Sequence, residues 1–328
     1  MSTQQSELES DGTRRIDAGI GGAHVASLAE GDRRSMMHPF SSLAEQALAE
    51  PRILESAGGI YVSDAKGKEY IDGGSGLWCV NVGYGRPEIA EVMATQSRKL
   101  SYGLCFAGHS SEPLIHLARR LLEIAPRNMV KVLFNNSGSE ANEAQIKMVR
   151  AYNNILGRPK KKNIISRWGG YHGASIAAGS LTGAEVVHRN FDLPMPGVLH
   201  TDSPDYFRRK RVESSPEDFI REAADALEQL IQAAGQETVA AFIAEPIMGS
   251  CGIIIPPTGY FEAIHAVLRR HDASVEAVLQ IEVDDSPEPE VETESDRPSA
   301  VDARLNRLRE QGQRRKPRKR PRQDNWMG

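Results

Sequence analysis

Val132-Leu133-Phe134-Asn135-Asn136-Ser137-Gly138-Ser139-Glu140-Ala141-Asn142 changes its periodicity within eleven residues. Val132 to Phe134 is a short apolar, partly β-branched run of the kind that fills a buried parallel strand. Two asparagines and Ser-Gly-Ser break it. From Glu140 onward Ala141, Ala144, Met148, Ala151 and Tyr152 fall on one helical face, with Glu143, Lys147 and Arg150 elsewhere, so the stretch reads as strand, turn, helix. That order of elements can cradle an anion. The first amides of a helix lack intrahelical acceptors and carry the positive end of its dipole, Gly138 admits a ligand to the backbone, and Ser137 and Ser139 add hydroxyl donors. The same residues support a second reading: Ser137 with Glu140 three positions later is a capping box, which satisfies those amides without a ligand. The spacing matches neither a Walker loop nor a dinucleotide-binding fingerprint.

The surrounding chain repeats the alternation of strand and helix. On the C-terminal side, Asn163 to Ser166 reads as a buried strand ending in Trp168-Gly169-Gly170-Tyr171-His172-Gly173. Val239 to Ala244 reads as another, ending in Glu245-Pro246. An aromatic, an imidazole and a carboxylate at the carboxyl ends of strands suit the ligand-binding edge of an open α/β sheet, against the plainer readings of a loop histidine and a packing tyrosine. Ser215-Pro216-Glu217-Asp218 opens an amphipathic helix to about Ala234, and Gly259 to Arg270 reads as a further helix. On the N-terminal side Pro87 and Pro113 open helices to about Leu100 and Leu122, separated by an ordered loop from Ser101 to Ser111. Gly59 to Asp72 reads as a hairpin turning at Asp64-Ala65-Lys66-Gly67. Gly73-Gly74-Ser75-Gly76 lets the backbone turn and set Trp78 at a cleft, with a buried core tryptophan as the plainer reading. The expected class is α/β with a mainly parallel sheet and flanking helices.

Composition bounds what the protein does. At 328 residues, 40% apolar and 26% charged, the chain is ordinary for a globular protein, and it carries no apolar signal core or membrane-length apolar run, so a cytoplasmic location is expected. Cys79, Cys105 and Cys251 are widely spaced, which supports neither a disulfide framework nor a zinc ribbon. The net charge of −4 conceals two blocks: eight acidic residues between Glu282 and Asp296, and seven Lys or Arg among the nine residues Arg314 to Arg322. Like-charge blocks resist burial, and nothing aromatic accompanies the basic run before Trp326, so nucleic-acid binding is not expected.

Leu77-Trp78 with Asn81-Val82-Gly83-Tyr84-Gly85, Phe134 to Asn142 with Lys147-Met148-Val149-Arg150, Tyr171-His172-Gly173, Ala244-Glu245-Pro246 and Pro256-Pro257 with Gly259-Tyr260 together resemble a class III aminotransferase of the ω-amino-acid or amine:pyruvate type. The resemblance implies the major domain of the fold type I pyridoxal-phosphate enzymes. It also implies transfer of an amino group from an amine or ω-amino acid to a keto acid such as pyruvate. At matching positions Ser137, Gly138 and Ser139 would hold the cofactor phosphate. Tyr171 would stack on the pyridine ring with His172 beside it and Glu245 near the cofactor, and Trp78 would line the substrate pocket. The family forms homodimers, and the loop from Ser101 to Ser111 would reach the partner's site.

The resemblance runs from about His38 to Asp272. The lysine that forms the family's Schiff base and the aspartate on the pyridine nitrogen are expected after that point, in a Ser-Lys and an Asp-Glu-Val motif. Neither motif follows; the only lysines beyond Glu245 are Lys316 and Lys319, in the basic run, and Asp284 and Asp285 are the nearest substitutes for the acid. No catalytic residue is therefore assigned, and covalent attachment of the cofactor is not expected. The chain reads as a mobile arm over 1–34, an incomplete family domain over 35–272 without the small C-terminal domain, and a disordered non-family tail over 273–328. A frameshift and a genuine fusion both account for the tail. The alternative to a working transaminase is an inactive truncated fragment, or an interaction module with a basic tail.

Overall fold

A computed structural model describes residues 22–209 and 211–277. The chain divides into two compact units, one ending at Ser111 and the other beginning at Glu112.

The first unit begins with helix α1 (Gly22–Ser35), where the sequence reads as a mobile arm. Order therefore starts before His38. Val25 and Ala29, one turn apart, are its buried residues, and Arg33 and Arg34 close the last turn, where cations suit the helix dipole. After the short helix α2 (Leu43–Leu48), strands β1 (Leu54–Gly58), β2 (Tyr61–Asp64) and β3 (Glu69–Ile71) form an antiparallel meander. The expected hairpin turn is held by Asp64, whose carboxylate accepts the amides of Lys66 and Lys68 and the Tyr70 hydroxyl at 3.0, 2.9 and 2.8 Å. A single turn, α3 (Ser75–Trp78), and helix α4 (Pro87–Lys99) complete the unit.

Helix α5 (Glu112–Ile124) opens the second unit. There α6 (Gly138–Ile155), β4 (Asn163–Arg167), α7 (Ile176–Leu181), β5 (Val198–Thr201), α8 (Pro216–Ala234), β6 (Val239–Ala244), α9 (Tyr260–Arg270) and β7 (Ser274–Ala277) alternate strand with helix. The four strands form one all-parallel sheet in the order β5-β4-β6-β7. Every residue of β6 is buried, because helices cover both faces. Ile165, Phe242 and Ala244 pack with Leu227 and Ile231 of α8 and Ile264 and Leu268 of α9. Ile164, Ala241 and Ile243 pack on the other face with Ile146 and Val149 of α6 and Leu181 of α7.

This topology creates the crevice. After β4 the chain passes to α7, and after the adjacent β6 it passes to α9, on the opposite face. Loops leaving neighbouring strands toward opposite faces part at their carboxyl ends, which is where open α/β sheets take their ligands.

Three expectations need correction. Val132–Phe134 is not a strand: none of the four parallel strands is bonded to it, and β-propensity without a ladder partner does not make a strand. The buried face of α6 is Asn142, Ile146, Val149 and Asn153, while Met148, Ala151 and Tyr152 are exposed. An apolar-only reading passes over the two asparagines, whose amides bond to the carbonyls of His172 and Val149. The sheet also continues past Asp272, since Ser274–Ala277 pairs in register with Ala241–Ala244. Residues 1–21, the blocks beyond 277, Asp284, Asp285, Lys316 and Lys319 lie outside the described residues.

Candidate functional site

Helix α6 begins as its sequence dictates. Ser137 has the extended backbone of an N-cap, and its hydroxyl accepts the Glu140 amide at 3.2 Å. The Glu140 carboxylate reaches back to the Asn136 amide at 2.9 Å, so the capping box is formed. The box leaves the Gly138 and Ser139 amides at the open helix end, and a Cβ at Gly138 would have nothing within 4 Å. The cap and an anion cradle therefore share one turn.

Ser139, Asn142 and Glu143, on one face of the first turns of α6, grip the loop that follows β4. The Ser139 hydroxyl accepts the Ala174 amide at 3.1 Å, which leaves its own proton to donate outward. Asn142 Nδ2 donates to the His172 carbonyl at 2.6 Å, and Glu143 accepts from the Ser175 hydroxyl at 2.6 Å and the Ala177 amide at 3.2 Å. Gly173 makes this approach possible: at its φ of 128°, a Cβ would fall 2.5 Å from the Ser139 hydroxyl.

Tyr171 and His172 are consecutive, yet they have opposite environments. The Tyr171 residue is 41% exposed, and its amide donates to Glu245 Oε1 at 2.9 Å. His172 is 3% exposed, its amide donates to the Thr182 hydroxyl, and neither ring nitrogen has a partner. Burial, then the Arg167 guanidinium and His200, push its pKa down to about 3, so the imidazole is neutral. Arg167 at the end of β4 is fully buried, donates Nη2 to the Glu245 carbonyl, and lies within 6 Å of the ring centroids of Tyr260 (5.9 Å) and Phe261 (5.7 Å). The Glu245 carboxylate also accepts the Gly249 amide at 3.2 Å.

The second unit therefore brings together Ser137, Gly138, Ser139, Tyr171, His172 and Glu245 at one sheet edge. Trp78 belongs to the first unit. It is 56% exposed rather than a core residue, and it stands on a turn in which Ser75, Gly76, Leu77 and Trp78 all have positive φ. Asp72 pins that turn by accepting the amides of Gly74 and Gly76 and the Tyr84 hydroxyl, and the Tyr84 hydroxyl foremost holds the Asp72 carboxyl below its usual range.

The sequence reading missed Asn142, Glu143, Arg167, Thr182 and Asp72. Only Asn142 carried a signal, as a poor helix former within an otherwise favourable helix. A perturbed lysine is also present. Lys161 is 6% exposed with its pKa lowered by burial, and it donates to the His271 carbonyl at 3.1 Å. It precedes β4, however, at the amino edge of the sheet, and a five-residue strand spans about 16 Å. Among the described residues no three His, Cys, Asp or Glu side chains gather as metal ligands, and no helix is long and apolar enough to cross a membrane.

The sequence profile of the class III aminotransferases matches residues 43–275. The chain belongs to that family. It is 45% identical over 249 residues to the diaminobutyrate–2-oxoglutarate transaminase of Halomonas elongata, covering 75% of this chain and 53% of that protein. A probable gamma-aminobutyrate transaminase of rice is 44% identical over 239 residues, covering 73% of this chain and 50% of that one. The ω-transaminase of Pseudomonas jessenii, solved in complex with PMP, superposes with a TM-score of 0.74 at 44% identity, covering 76% of this chain and 55% of its own. The chain thus spans about half the length of the curated relatives it matches. The fold is that of the fold type I enzymes, and the cofactor of the family is pyridoxal phosphate. The residues present suit two parts of it: an open helix N-terminus with free hydroxyl protons for the phosphate, and an exposed Tyr171 ring for the pyridine face.

Proposed function

We propose that this chain binds pyridoxal phosphate at the carboxyl edge of β4 and β6, in a site that serves transfer of an amino group from an amine or ω-amino acid to a keto acid such as pyruvate. The observation that carries the reading is the grip of Ser139, Asn142 and Glu143 on the loop bearing Tyr171, which joins an anion cradle to an aromatic face. In this reading Ser137, Gly138 and Ser139 hold the phosphate through amides and hydroxyl protons, and Tyr171 covers one face of the pyridine ring. When bound, the cofactor supplies the electron sink that lets an amino group leave one carbon and join another. His172 stays neutral beneath the loop. Relatives named for diaminobutyrate and gamma-aminobutyrate favour a donor whose primary amine lies at the end of the molecule away from a carboxylate. Homodimeric assembly and action in the cytoplasm belong to the same reading.

The eight lysines among the described residues are Lys66, Lys68, Lys99, Lys131, Lys147, Lys160, Lys161 and Lys162, and none belongs to the Tyr171 and Glu245 loops. The proposal is therefore non-covalent binding by this chain. Purified protein is titrated with pyridoxal phosphate, reduced with borohydride and weighed intact. Saturable binding at one site, weakened by Ser139→Ala and Tyr171→Leu, without a single stoichiometric lysine adduct, is expected. Absence of saturable binding removes the site, and one fully labelled lysine removes the non-covalent part.

A further inference from the structure

We propose that Glu245 is a positioning residue: its carboxylate fixes the backbone from which Tyr171 presents its ring, and thereby sets affinity for the pyridine ring but not for the phosphate. The inference rests on the reading of this edge as a pyridoxal-phosphate site.

Both oxygens of the Glu245 carboxylate are engaged by backbone amides. Oε1 accepts from Tyr171, in the loop after β4, and Oε2 accepts from Gly249, in the loop after its own strand β6. The side chain thus bridges the two loops at the point where they part toward opposite faces of the sheet. It is itself held from behind, because Arg167 at the end of β4 donates to the Glu245 carbonyl. A fully buried guanidinium on that carbonyl fixes where the strand ends and where the carboxylate begins.

The space between the carboxylate and the loop is filled. A Cβ at Gly170 would meet the Arg167 carbonyl and His172 Nε2 at 3.2 Å each, and Glu245 Oε1 at 3.5 Å. On its far side α6 grips the loop at His172, Ala174 and Ser175 and the first turn of α7 at Ala177, all beyond Tyr171. The two grips divide the labour. Helix α6 holds the part of the loop next to the phosphate cradle, and Glu245 holds the Tyr171 amide. A charged acceptor on an amide makes a stronger bond than a neutral one, which suits a residue that must keep an exposed ring in one plane. A carboxylate already committed to two amides would act on the cofactor through Tyr171.

The test uses the full chain and two probes, pyridoxal phosphate and inorganic phosphate, with Kd measured for Glu245→Ala, Glu245→Gln, Tyr171→Leu and the Glu245→Ala/Tyr171→Leu double variant. Glu245→Ala is expected to weaken pyridoxal phosphate about tenfold or more and to leave inorganic phosphate unchanged. Glu245→Gln keeps one oxygen for the Tyr171 amide and is expected to recover most of the affinity. In the Tyr171→Leu background, Glu245→Ala is expected to cost nothing further. Amide hydrogen exchange without ligand adds a second measurement, in which protection falls at Tyr171 and persists at Ala174 in Glu245→Ala. Unchanged pyridoxal phosphate affinity, equal loss with both probes, or an undiminished loss in the Tyr171→Leu background overturns the role while leaving the site intact. A wild type that binds phosphate but not pyridoxal phosphate overturns the site and the role together.

Discussion

Lowering the pH from 7 to 5 should destabilise the fold through His172. Its imidazole is buried without a partner, and its pKa is pushed down to about 3 by burial, with Arg167 and His200 adding to the shift. The sign follows from which state takes the proton. An unfolded histidine protonates as pH falls through about 6.5, while the folded one stays neutral, so protons bind the unfolded chain and pull it open. The stability is whole above pH 6.5 and is lost progressively toward the folded pKa. Between pH 7 and 5 the linkage relation gives a loss of about 2 kcal/mol, against a typical domain stability of about 5–15 kcal/mol. His200, held at about 4 by burial and His188, adds a loss of the same sign over the same window. The window lies above the range in which Asp64, Asp72, Asp218 and Glu228, all with lowered pKa, take up protons. Urea denaturation followed by circular dichroism at pH 7, 6 and 5 measures the effect. His172→Asn is expected to be less stable at pH 7 but to fall less steeply with pH, by about 2 kcal/mol over the window. Parallel pH profiles for the wild type and His172→Asn would refute the reasoning.

Gly183→Ala should melt well below the wild type and lose pyridoxal phosphate binding. A Cβ there would meet the Arg167 carbonyl at 2.1 Å and the Trp168 Cα at 2.7 Å, and the backbone bonds of Gly183 with Gly169 and Gly170 leave no room for the loop to retreat. Melting at the wild-type temperature would contradict this. The purified chain should also self-associate as its concentration rises. Ile89, Val92 and Met93 on α4 and Met148 and Tyr152 on α6 are exposed apolar side chains of the kind that mark interfaces. Light scattering coupled to gel filtration is expected to show a dimer or larger species, and a monomer at every concentration would count against it.

Elements whose residues carry their own boundary signal were legible in the sequence. Ser215 caps α8 as read, accepting the Asp218 amide at 3.1 Å, and β6 coincides with the apolar run Val239 to Ala244. The placing of Tyr171 and Glu245 just after two buried strands was legible too, and the structure joins the Tyr171 amide to the Glu245 carboxylate there. What stayed hidden depends on partners distant in sequence. Val132–Phe134 has the composition of a strand and lacks a ladder; α1 has a weak pattern and is fixed by burying only Val25 and Ala29. No local signal foretold that Arg167 would be buried on the carbonyl of a residue 78 positions later. The turn under Trp78 shows another limit, since Ser75, Leu77 and Trp78 adopt a left-handed conformation that their types disfavour, held there by Asp72.

The strand order has a consequence for synthesis. β4 meets β5 soon after it emerges, but its other edge pairs with β6, beginning at Asn163 with Val239. At a synthesis rate of about 5–20 residues per second, that edge, with its N–H and C=O groups unpaired, waits several seconds on the ribosome for its second partner. Throughout that interval the nascent chain offers an open template to chaperones and to neighbouring chains, so yield in the cell depends on how that wait is covered as well as on the finished fold.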